Sequence, residues 1–263
     1  MPWKGFATTR ETLSPTMLKP APPSTAEFLP IESQQRQLQN LQDMLLHSLS
    51  HDLGTPAMTI LGFTDLLLAD HDNSPDPQVV RQYLEHIRNS ANRQVSLIAA
   101  LTKYCQLSQQ PLSLSCVDLT ALITECNKER PDLAELSSYR FELHPTPTNT
   151  GDPIMLKLVM QALLDNAIKF TRKISCPVIS FGAEFEAEQL VYFLTDNGVG
   201  FKVERKERLF QPFCRLHSSK DYEGIGMGLA IAATIIRRHD GRIWAHSDGE
   251  NGMTVRFTLG AKP

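Results

Sequence analysis

The feature that most constrains the fold is a pair of apolar series in the first half of the chain, spaced at three- and four-residue steps. The first series is Leu38, Leu41, Leu45, Leu49, Leu53, Pro56, Ile60, Phe63 and Leu67. The second is Val80, Tyr83, Leu84, Ile87, Ala91, Ile98 and Leu101. This spacing predicts two amphipathic helices. The turn formers at 71–77 separate them, so we expect a helical hairpin over residues 31–109.

A single hairpin of this kind leaves half of its apolar surface uncovered. Two copies bury that surface when they pair into a four-helix bundle about a two-fold axis, so the pattern predicts a homodimer. An alternative stays open at this point, because the same surface would also be covered if it packed on the rest of its own chain.

From Pro111 onward the pattern changes to short extended runs between helices. Helices are predicted over Val117–Asn127, Pro153–Phe170 and Gly228–His239. Strands are predicted over Arg140–Leu143, Val178–Glu184, Gln189–Thr195, Arg242–Ala245 and Met253–Leu259. We therefore expect an α+β domain over residues 110–263. Residues 1–30 hold six prolines among serines and threonines, which is typical of a flexible leader.

Composition excludes several functional classes. A net charge of -3 gives no basic excess for coating a phosphate backbone, so nucleic acid is not an expected partner. The five cysteines are scattered without metal-ligand spacing, which favours a reducing cytoplasmic setting. No apolar run reaches the roughly 20 residues that span a bilayer, so we expect no direct membrane insertion.

One histidine is set apart from the apolar stripe. His51 precedes the stripe residue Leu53 by two positions, about 200° around a helix, so we expect it to face solvent. Asp52 and Thr55 share its turn of helix. A neutral imidazole is a nucleophile, a neighbouring carboxylate can hold its second proton, and a hydroxyl can position water. Taken one at a time, the three also fit an ordinary solvated face.

The segment around His51 resembles the phosphoacceptor box of the sensor histidine kinases. The matching residues are HDLGTP within LLHSLSHDLGTPAMTILGF. The resemblance implies that His51 accepts a phosphoryl group with help from Asp52, and that Thr55 serves in its removal from a partner. Gly54 departs from the pattern, because the family often has a basic residue there.

Two later segments resemble the nucleotide boxes of the same family. DNAIKF at 165–170 is similar to the N box, which implies that Asn166 ligates Mg²⁺, that Lys169 meets phosphate and that Phe170 borders the nucleotide. Ala162 stands where a second asparagine is often found. DNGVGF at 196–201 is similar to the G1 box of the superfamily that includes the gyrase and chaperone ATPases, of GHKL or Bergerat type. There the resemblance implies that Asp196 reads adenine and that Gly198 and Gly200 allow a close approach. Each segment alone also fits a common helix or an Asn-Gly turn.

Two further segments complete the resemblance. LFQPFCRL at 209–216 is similar to the F box, which implies that Phe213 anchors a lid near the nucleotide, and the polar segment His217–Glu223 is short enough to be that lid. GIGMGLAI is similar to the last glycine box, which places Gly224, Gly226 and Gly228 at a helix N-terminus suited to phosphate. The run at 215–247 is most similar to phytochrome-type and related cyanobacterial kinases.

These features together predict a hairpin that forms a dimeric four-helix bundle, followed by an α+β sandwich that binds Mg²⁺ and ATP. We expect autophosphorylation of His51 and transfer to an aspartate of a response regulator receiver domain. One alternative is a non-catalytic or phosphatase-only module that keeps the fold. Another is a gyrase- or chaperone-like ATPase, which gives HDLGTP no role. We expect His239 and Trp244 to be packing residues.

Overall fold

The computed structural model describes residues 52–69, 76–130, 139–201, 208–215, 222, 224–247, 249 and 251–260. The leader predicted over residues 1–30, the start of the hairpin with His51, and most of the lid predicted over His217–Glu223 lie outside the described residues. Within the described ranges, no helix combines the length and the apolar character needed to cross a bilayer.

Two helices form the predicted hairpin. Helix α1 covers 52–69 and helix α2 covers Pro77–Gln109, and residues 70–75, where the sequence predicts most of the turn, lie outside the described residues. The Asp76 side chain accepts a hydrogen bond from the Gln78 amide at 2.9 Å, and Pro77 occupies the first turn, which together fix the start of α2. Phe63 of α1 stacks on His86 of α2, with ring centroids 4.6 Å apart. Phe63 also lies against Tyr83, with ring centroids 5.4 Å apart, so residues of the two apolar series meet.

Several apolar side chains of the hairpin nevertheless remain on its surface. Leu84 and Ile98, both predicted to lie in the stripe, are exposed by 52% and 51%. Tyr83 and Ile87 of the same helix are half-buried instead. The other exposed apolar residues of the two helices are Met58, Leu61, Leu66, Leu68 and Val95.

The last turns of α2 pack on the rest of the chain. Leu97 is 2% exposed in a small cluster with Phe213 and Met227, and Leu107 joins the main core. The Arg238 guanidinium donates to the Leu107 carbonyl at 2.5 Å and also to the Gln110 carbonyl. These carbonyls belong to the last turn of α2, where helical partners run out, so Arg238 ties that end in place. Part of the hairpin's apolar surface is thus covered within the chain.

An α+β sandwich follows the hairpin. Its helices are α3 Leu119–Lys128, α4 Pro153–Thr171 and α5 Gly228–Arg238. Its strands are β1 Ser115–Val117, β2 Arg140–Leu143, β3 Asn149–Gly151, β4 Val178–Glu186, β5 Gln189–Asp196, β6 Ile243–His246 and β7 Met253–Phe257. Five strands form a sheet in the order β2-β4-β5-β7-β6, in which only the β2–β4 pair is parallel. Strands β1 and β3 form a separate antiparallel pair.

The three helices and the sheet share one apolar core. Its buried members come from α3, α4, α5 and alternate positions of the strands, such as Ile179 and Phe181 on β4 and Val255 and Phe257 on β7. This alternation is the period of a sheet with one covered face. Strand β5 ends at Asp196 beside α4 and α5, so the core carries the predicted nucleotide residues.

The structure shifts several predicted boundaries by one or two residues and adds two strands. The helix predicted from Val117 begins at Leu119, because the Asp118 side chain caps it by accepting from the Ala121 amide at 3.1 Å. Val117 instead ends β1, where it pairs with Asn149 of β3. Neither β1 nor β3 was predicted. The strand predicted over Arg140–Leu143 is confirmed to the residue.

Candidate nucleotide site beside the helical hairpin

A cavity of about 450 Å³ lies between α4, the end of β5 and the loop that leads into α5. It gathers most of the residues that the sequence assigned to nucleotide and metal. Of those residues, the lining includes Asn166, Lys169, Phe170, Asp196, Gly200, Gly224, Gly226 and Gly228. The volume is within the range of small-molecule sites.

Asp196 is the most buried ionisable group in this cavity. Its side chain is 2% exposed, and Oδ1 accepts from the Gly198 amide at 2.9 Å. Its other oxygen, Oδ2, is buried without a hydrogen-bond partner. Burial raises the pKa of the Asp196 carboxyl to about 6, although amides of Gly198 and Met253 act in the opposite direction. A buried, unsatisfied acceptor at the wall of a cavity is suited to a ligand donor.

Two glycines after Asp196 meet different steric demands. A Cβ on Gly198 would lie 2.7 Å from the Phe170 carbonyl oxygen and 2.8 Å from Asp196 Oδ1, so only glycine allows this approach of β5 to α4. Gly200 has φ 62°, in the left-handed region that favours glycine. The two positions hold the turn that carries Asp196.

Helix α4 supplies one wall. Its start is fixed by Asp152, whose carboxylate accepts from the Ile154 and Met155 amides at 3.0 Å. Further along this helix, Asn166 has a buried amide nitrogen with no hydrogen-bond partner. A half-turn about its last side-chain bond presents the amide oxygen instead. Asn166 is thus, with Asp196, one of the two residues in the described ranges with an unsatisfied buried side-chain atom.

Lys169 and Phe170 follow on the same helix. Burial lowers the pKa of the Lys169 ammonium, and the nearby Arg215 guanidinium lowers it further. The Lys169 nitrogen lies 4.4 Å from the centre of the Phe170 ring, and that ring lies 4.9 Å from the ring of Tyr222. An anion bound beside these two cations would offset the desolvation of Lys169 and the repulsion between the like charges.

The glycine loop supplies the opposite wall. Gly224 and Gly226 have φ 129° and 79°, and a Cβ on Gly226 would lie 2.6 Å from the Cys214 carbonyl oxygen. Helix α5 begins at Gly228, and its N-cap residue Met227 makes no side-chain capping bond. The first amides of α5 therefore remain available to an anion, with the positive end of the helix dipole behind them.

Phe213 occupies a different place from the other predicted residues. It is 6% exposed and packs with Leu97 of α2 and Met227 rather than lining the cavity. Its φ of 61° is unusual for a bulky residue. The aromatic ring therefore connects the hairpin to the glycine loop.

The hairpin's own box lies close to this site. Thr55 is exposed on α1 and Asp52 is half-buried. The pKa of the Arg215 guanidinium is lowered by burial and by Arg93 of α2, while the Asp52 carboxylate acts to raise it, so Asp52 is near Arg215. His51 precedes the described part of α1.

Two cations of the cavity were not found from the sequence. Arg215 lines it and donates to the Tyr222 carbonyl at 2.7 Å. Lys103, on α2, lines it from the hairpin side. Arg215 was quoted only as part of a box, and nothing in the local pattern of α2 marks Lys103, because its role depends on how α2 packs.

Comparison with known families agrees with this arrangement. The family model described as histidine kinase-, DNA gyrase B-, and HSP90-like ATPase matches residues 151–263. The model described as His Kinase A (phospho-acceptor) domain matches residues 41–104. The chain belongs to the sensor histidine kinases.

Two curated cyanobacterial relatives of this sensor histidine kinase illustrate the likeness. The phytochrome-like protein Cph1 of Synechocystis is 29% identical over 80% of this chain, which spans only 28% of that relative. The adaptive-response sensory kinase SasA of a Synechococcus strain is 27% identical over 98% of this chain and 72% of its own length. This chain therefore spans about a quarter of one relative and most of the other.

Solved structures show the same fold. The histidine kinase ThkA in complex with response regulator protein TrrA aligns over 87% of this chain and 64% of that one, with a TM-score of 0.61 and 22% identity. Full-length ShkA in complex with AMPPNP aligns over 84% of this chain and 47% of that one, with a TM-score of 0.53 and 23% identity.

Proposed function

We propose that this sensor histidine kinase uses ATP to phosphorylate its own His51 and then passes the phosphoryl group to an aspartate of a response regulator. The observation that carries the proposal is the unsatisfied Oδ2 of Asp196 in a cavity that also holds Lys169 and the glycine loop. Burying an acceptor without a partner costs about 1 to 3 kcal/mol, which a bound donor recovers.

Adenine supplies the donor that Asp196 lacks. The exocyclic amine of the base donates to an ionised carboxylate, and a charge-assisted bond of this kind contributes roughly 1.5 to 3 kcal/mol. The phosphates then lie toward Lys169, Arg215 and the first amides of α5, which together offer charge and directed N–H groups. The cavity thus offers polar groups to both the adenine and the phosphates of a nucleotide.

The donor set also fits Mg²⁺, which prefers oxygen ligands and keeps several waters. Asn166 would hold the ion through its amide oxygen. Gln161 and Asp165 also line the cavity, but Asp165 is paired with Arg130. When bound, the ion would neutralise phosphate charge. Ala162 offers no oxygen where the family often has an asparagine, so we expect weaker magnesium affinity than a two-asparagine site provides.

The hairpin carries the phosphoryl acceptor in this proposal. A neutral ring nitrogen of His51 attacks the γ-phosphorus, the bond from that phosphorus to the bridging oxygen breaks, and ADP leaves. Asp52 holds the other ring nitrogen in the required tautomer and stabilises the charge that develops on the ring. Thr55, on the same turn, would position water for removal of the phosphoryl group from the response regulator.

Two partners follow from the same arrangement. A second copy of the chain would cover the exposed apolar residues of the hairpin, such as Leu61 and Leu84, as a four-helix bundle. A response regulator receiver domain is the acceptor of the phosphoryl group, and the ThkA structure with TrrA supports a partner of this kind. Because ATP and such a regulator would both be needed, we propose that the reaction takes place in the cytoplasm.

A phosphatase-only module is the second candidate, and Gly54 and Ala162 favour it. Gly54 has nothing within 4 Å of an added Cβ, so the structure would accept the basic residue that is common there. Steric exclusion therefore does not explain why position 54 lacks a basic residue. A gyrase-like ATPase would hydrolyse ATP without labelling any histidine.

Labelled ATP separates these functions. The wild-type chain with Mg²⁺ should acquire label that is lost in acid and kept in alkali, as expected for phosphohistidine. His51→Ala should bind nucleotide normally yet acquire no label, whereas Asp196→Asn should bind none. Label retained by His51→Ala would refute the assigned acceptor, and ATP hydrolysis without labelling would favour the ATPase.

A further inference from the structure

The hairpin contributes a cation to the nucleotide cavity. Lys103 of α2 lines the same cavity as Asn166, Lys169 and Asp196, although it lies about sixty residues before the first nucleotide box. It belongs to none of the short phosphoacceptor and nucleotide boxes of the sequence. Its side chain is exposed, so water hydrates the ammonium until a ligand engages it.

Packing on α2 fixes where Lys103 lies. Leu101 and Tyr104, its near neighbours, pack against the cluster of Leu97, Phe213 and Met227. Ile225, inside the glycine loop, packs against the same cluster. One turn later, Leu107 joins the main core and Arg238 holds its carbonyl. Lys103 is therefore held beside the glycine loop by contacts on both sides.

The charges around the cavity favour an anion at this position. Lys103, Lys169 and Arg215 line it, against the carboxylates of Asp165 and Asp196. Asp165 is paired with Arg130, and Asp196 is buried at the end that suits adenine. With these two carboxylates set aside, the charged groups that remain in the lining are the three cations. A lysine ammonium is a common point-charge ligand for phosphate.

We propose that Lys103 binds the phosphates of the bound nucleotide from the hairpin side, so that nucleotide binding and the packing of α2 on the glycine loop stabilise one another. This inference rests on the proposed function. Coupling of this kind is reciprocal: if the docked helix strengthens nucleotide binding, bound nucleotide strengthens docking by the same factor. The hairpin would thereby take part in holding the phosphates before any transfer.

Binding measurements on the full chain test the charge. Lys103→Gln should weaken a non-hydrolysable ATP analogue by about two- to fivefold, the size expected for an exposed ion pair, and leave adenosine unchanged. Lys103→Arg should bind both within about twofold of the wild type. Unchanged analogue binding by Lys103→Gln, or equal weakening of both ligands, would overturn the proposal.

A double-mutant cycle tests the docking. Leu97→Asp places a charge in the cluster and should release α2, after which adding Lys103→Gln should change analogue binding by less than about twofold. The same factor in both backgrounds would overturn the coupling. If Leu97→Asp fails to fold, Leu97→Ala serves in the same cycle. A wild-type chain that binds neither ligand would refute the proposed function, whereas binding without sensitivity to Lys103 refutes only this inference.

Discussion

The His239 imidazole accepts a hydrogen bond from the Asp152 backbone amide, with Nε2 3.0 Å from the nitrogen. His239 ends α5 and Asp152 caps α4, so one buried ring joins the two helices that wall the cavity. The other ring nitrogen, Nδ1, donates to the Ile235 carbonyl at 2.8 Å. The sequence predicted only a packing residue here, and the contacts define a neutral tautomer with two partners.

Removing this ring should destabilise the domain. His239→Leu leaves the buried Asp152 amide without an acceptor, so we expect a loss of about 2 kcal/mol in the free energy of unfolding. Chemical denaturation followed by circular dichroism measures it. His246→Leu changes an exposed histidine of β6 and is the matched control. Equal stability of the two variants would contradict the role assigned to His239.

The raised pKa of Asp196 predicts an inverted pH dependence of stability. Between about pH 4 and 6 the carboxyl ionises in the unfolded chain while it stays protonated in the fold, so stability falls as pH rises through this window and is level above it. Across this window the Asp196 carboxyl lowers the free energy of unfolding by about 3 kcal/mol. Asp196→Asn cannot titrate, and the wild type should lose stability relative to it between pH 4 and pH 7. A stability difference between the wild type and Asp196→Asn that stays constant over this range would contradict the raised pKa of Asp196.

The same ionisation should control nucleotide binding. The neutral carboxyl group offers adenine a weaker acceptor, so affinity for an ATP analogue should fall as pH drops below about 6. Titration calorimetry across this range measures the effect. An affinity that is independent of pH down to pH 5 would indicate that Asp196 does not meet the base.

The glycine loop offers a steric test. Gly226→Ala combines a φ of 79° with a Cβ only 2.6 Å from the Cys214 carbonyl oxygen, so the loop must move. We expect nucleotide affinity to drop by at least about tenfold, equivalent to 1.4 kcal/mol. Gly249→Ala is the control, because its φ is 100° but nothing lies within 4 Å. It should lose some stability and keep its nucleotide affinity.

The exposed apolar face of the hairpin predicts where a dimer forms. Leu61→Glu and Leu84→Glu, on α1 and α2, should each shift the chain from dimer to monomer, because a charge would be buried between copies. Ile154→Glu is the control, since Ile154 is 72% exposed on α4, which is not part of the hairpin. Sedimentation velocity distinguishes the species. A wild-type monomer, or dimers of all variants, would contradict this interface.

Much of the fold could be predicted because its signals are local. The apolar periods of α2 and α4 and the alternation in β5 each lie within one segment, and their bounds agree with the structure to within a few residues. Strands β1 and β3 could not be predicted, since Asn149-Thr150-Gly151 has no apolar alternation and its pairing partner is more than thirty residues away.

The site residues that could be predicted are likewise those whose signal lies within one segment. Asn166, Lys169, Asp196 and the glycines were predicted because each belongs to a contiguous motif, and the structure brings all of them except Gly198 to the lining of one cavity. Phe213 was predicted to anchor a lid near the nucleotide, and two phenylalanines at this spacing also fit a core; the structure packs its ring with Leu97, outside the cavity lining. Arg215 and Lys103 gain their positions from the packing of α2 on the glycine loop, which no single segment encodes.

Locating the phosphoryl group on the chain tests the central claim most directly. After incubation with ATP and Mg²⁺, peptides prepared without acid and sequenced by tandem mass spectrometry should carry one phosphoryl group, on His51. Peptides from Asp196→Asn should carry none. A phosphoryl group on another residue, or an unmodified His51 in a chain that has bound ATP, would contradict the account.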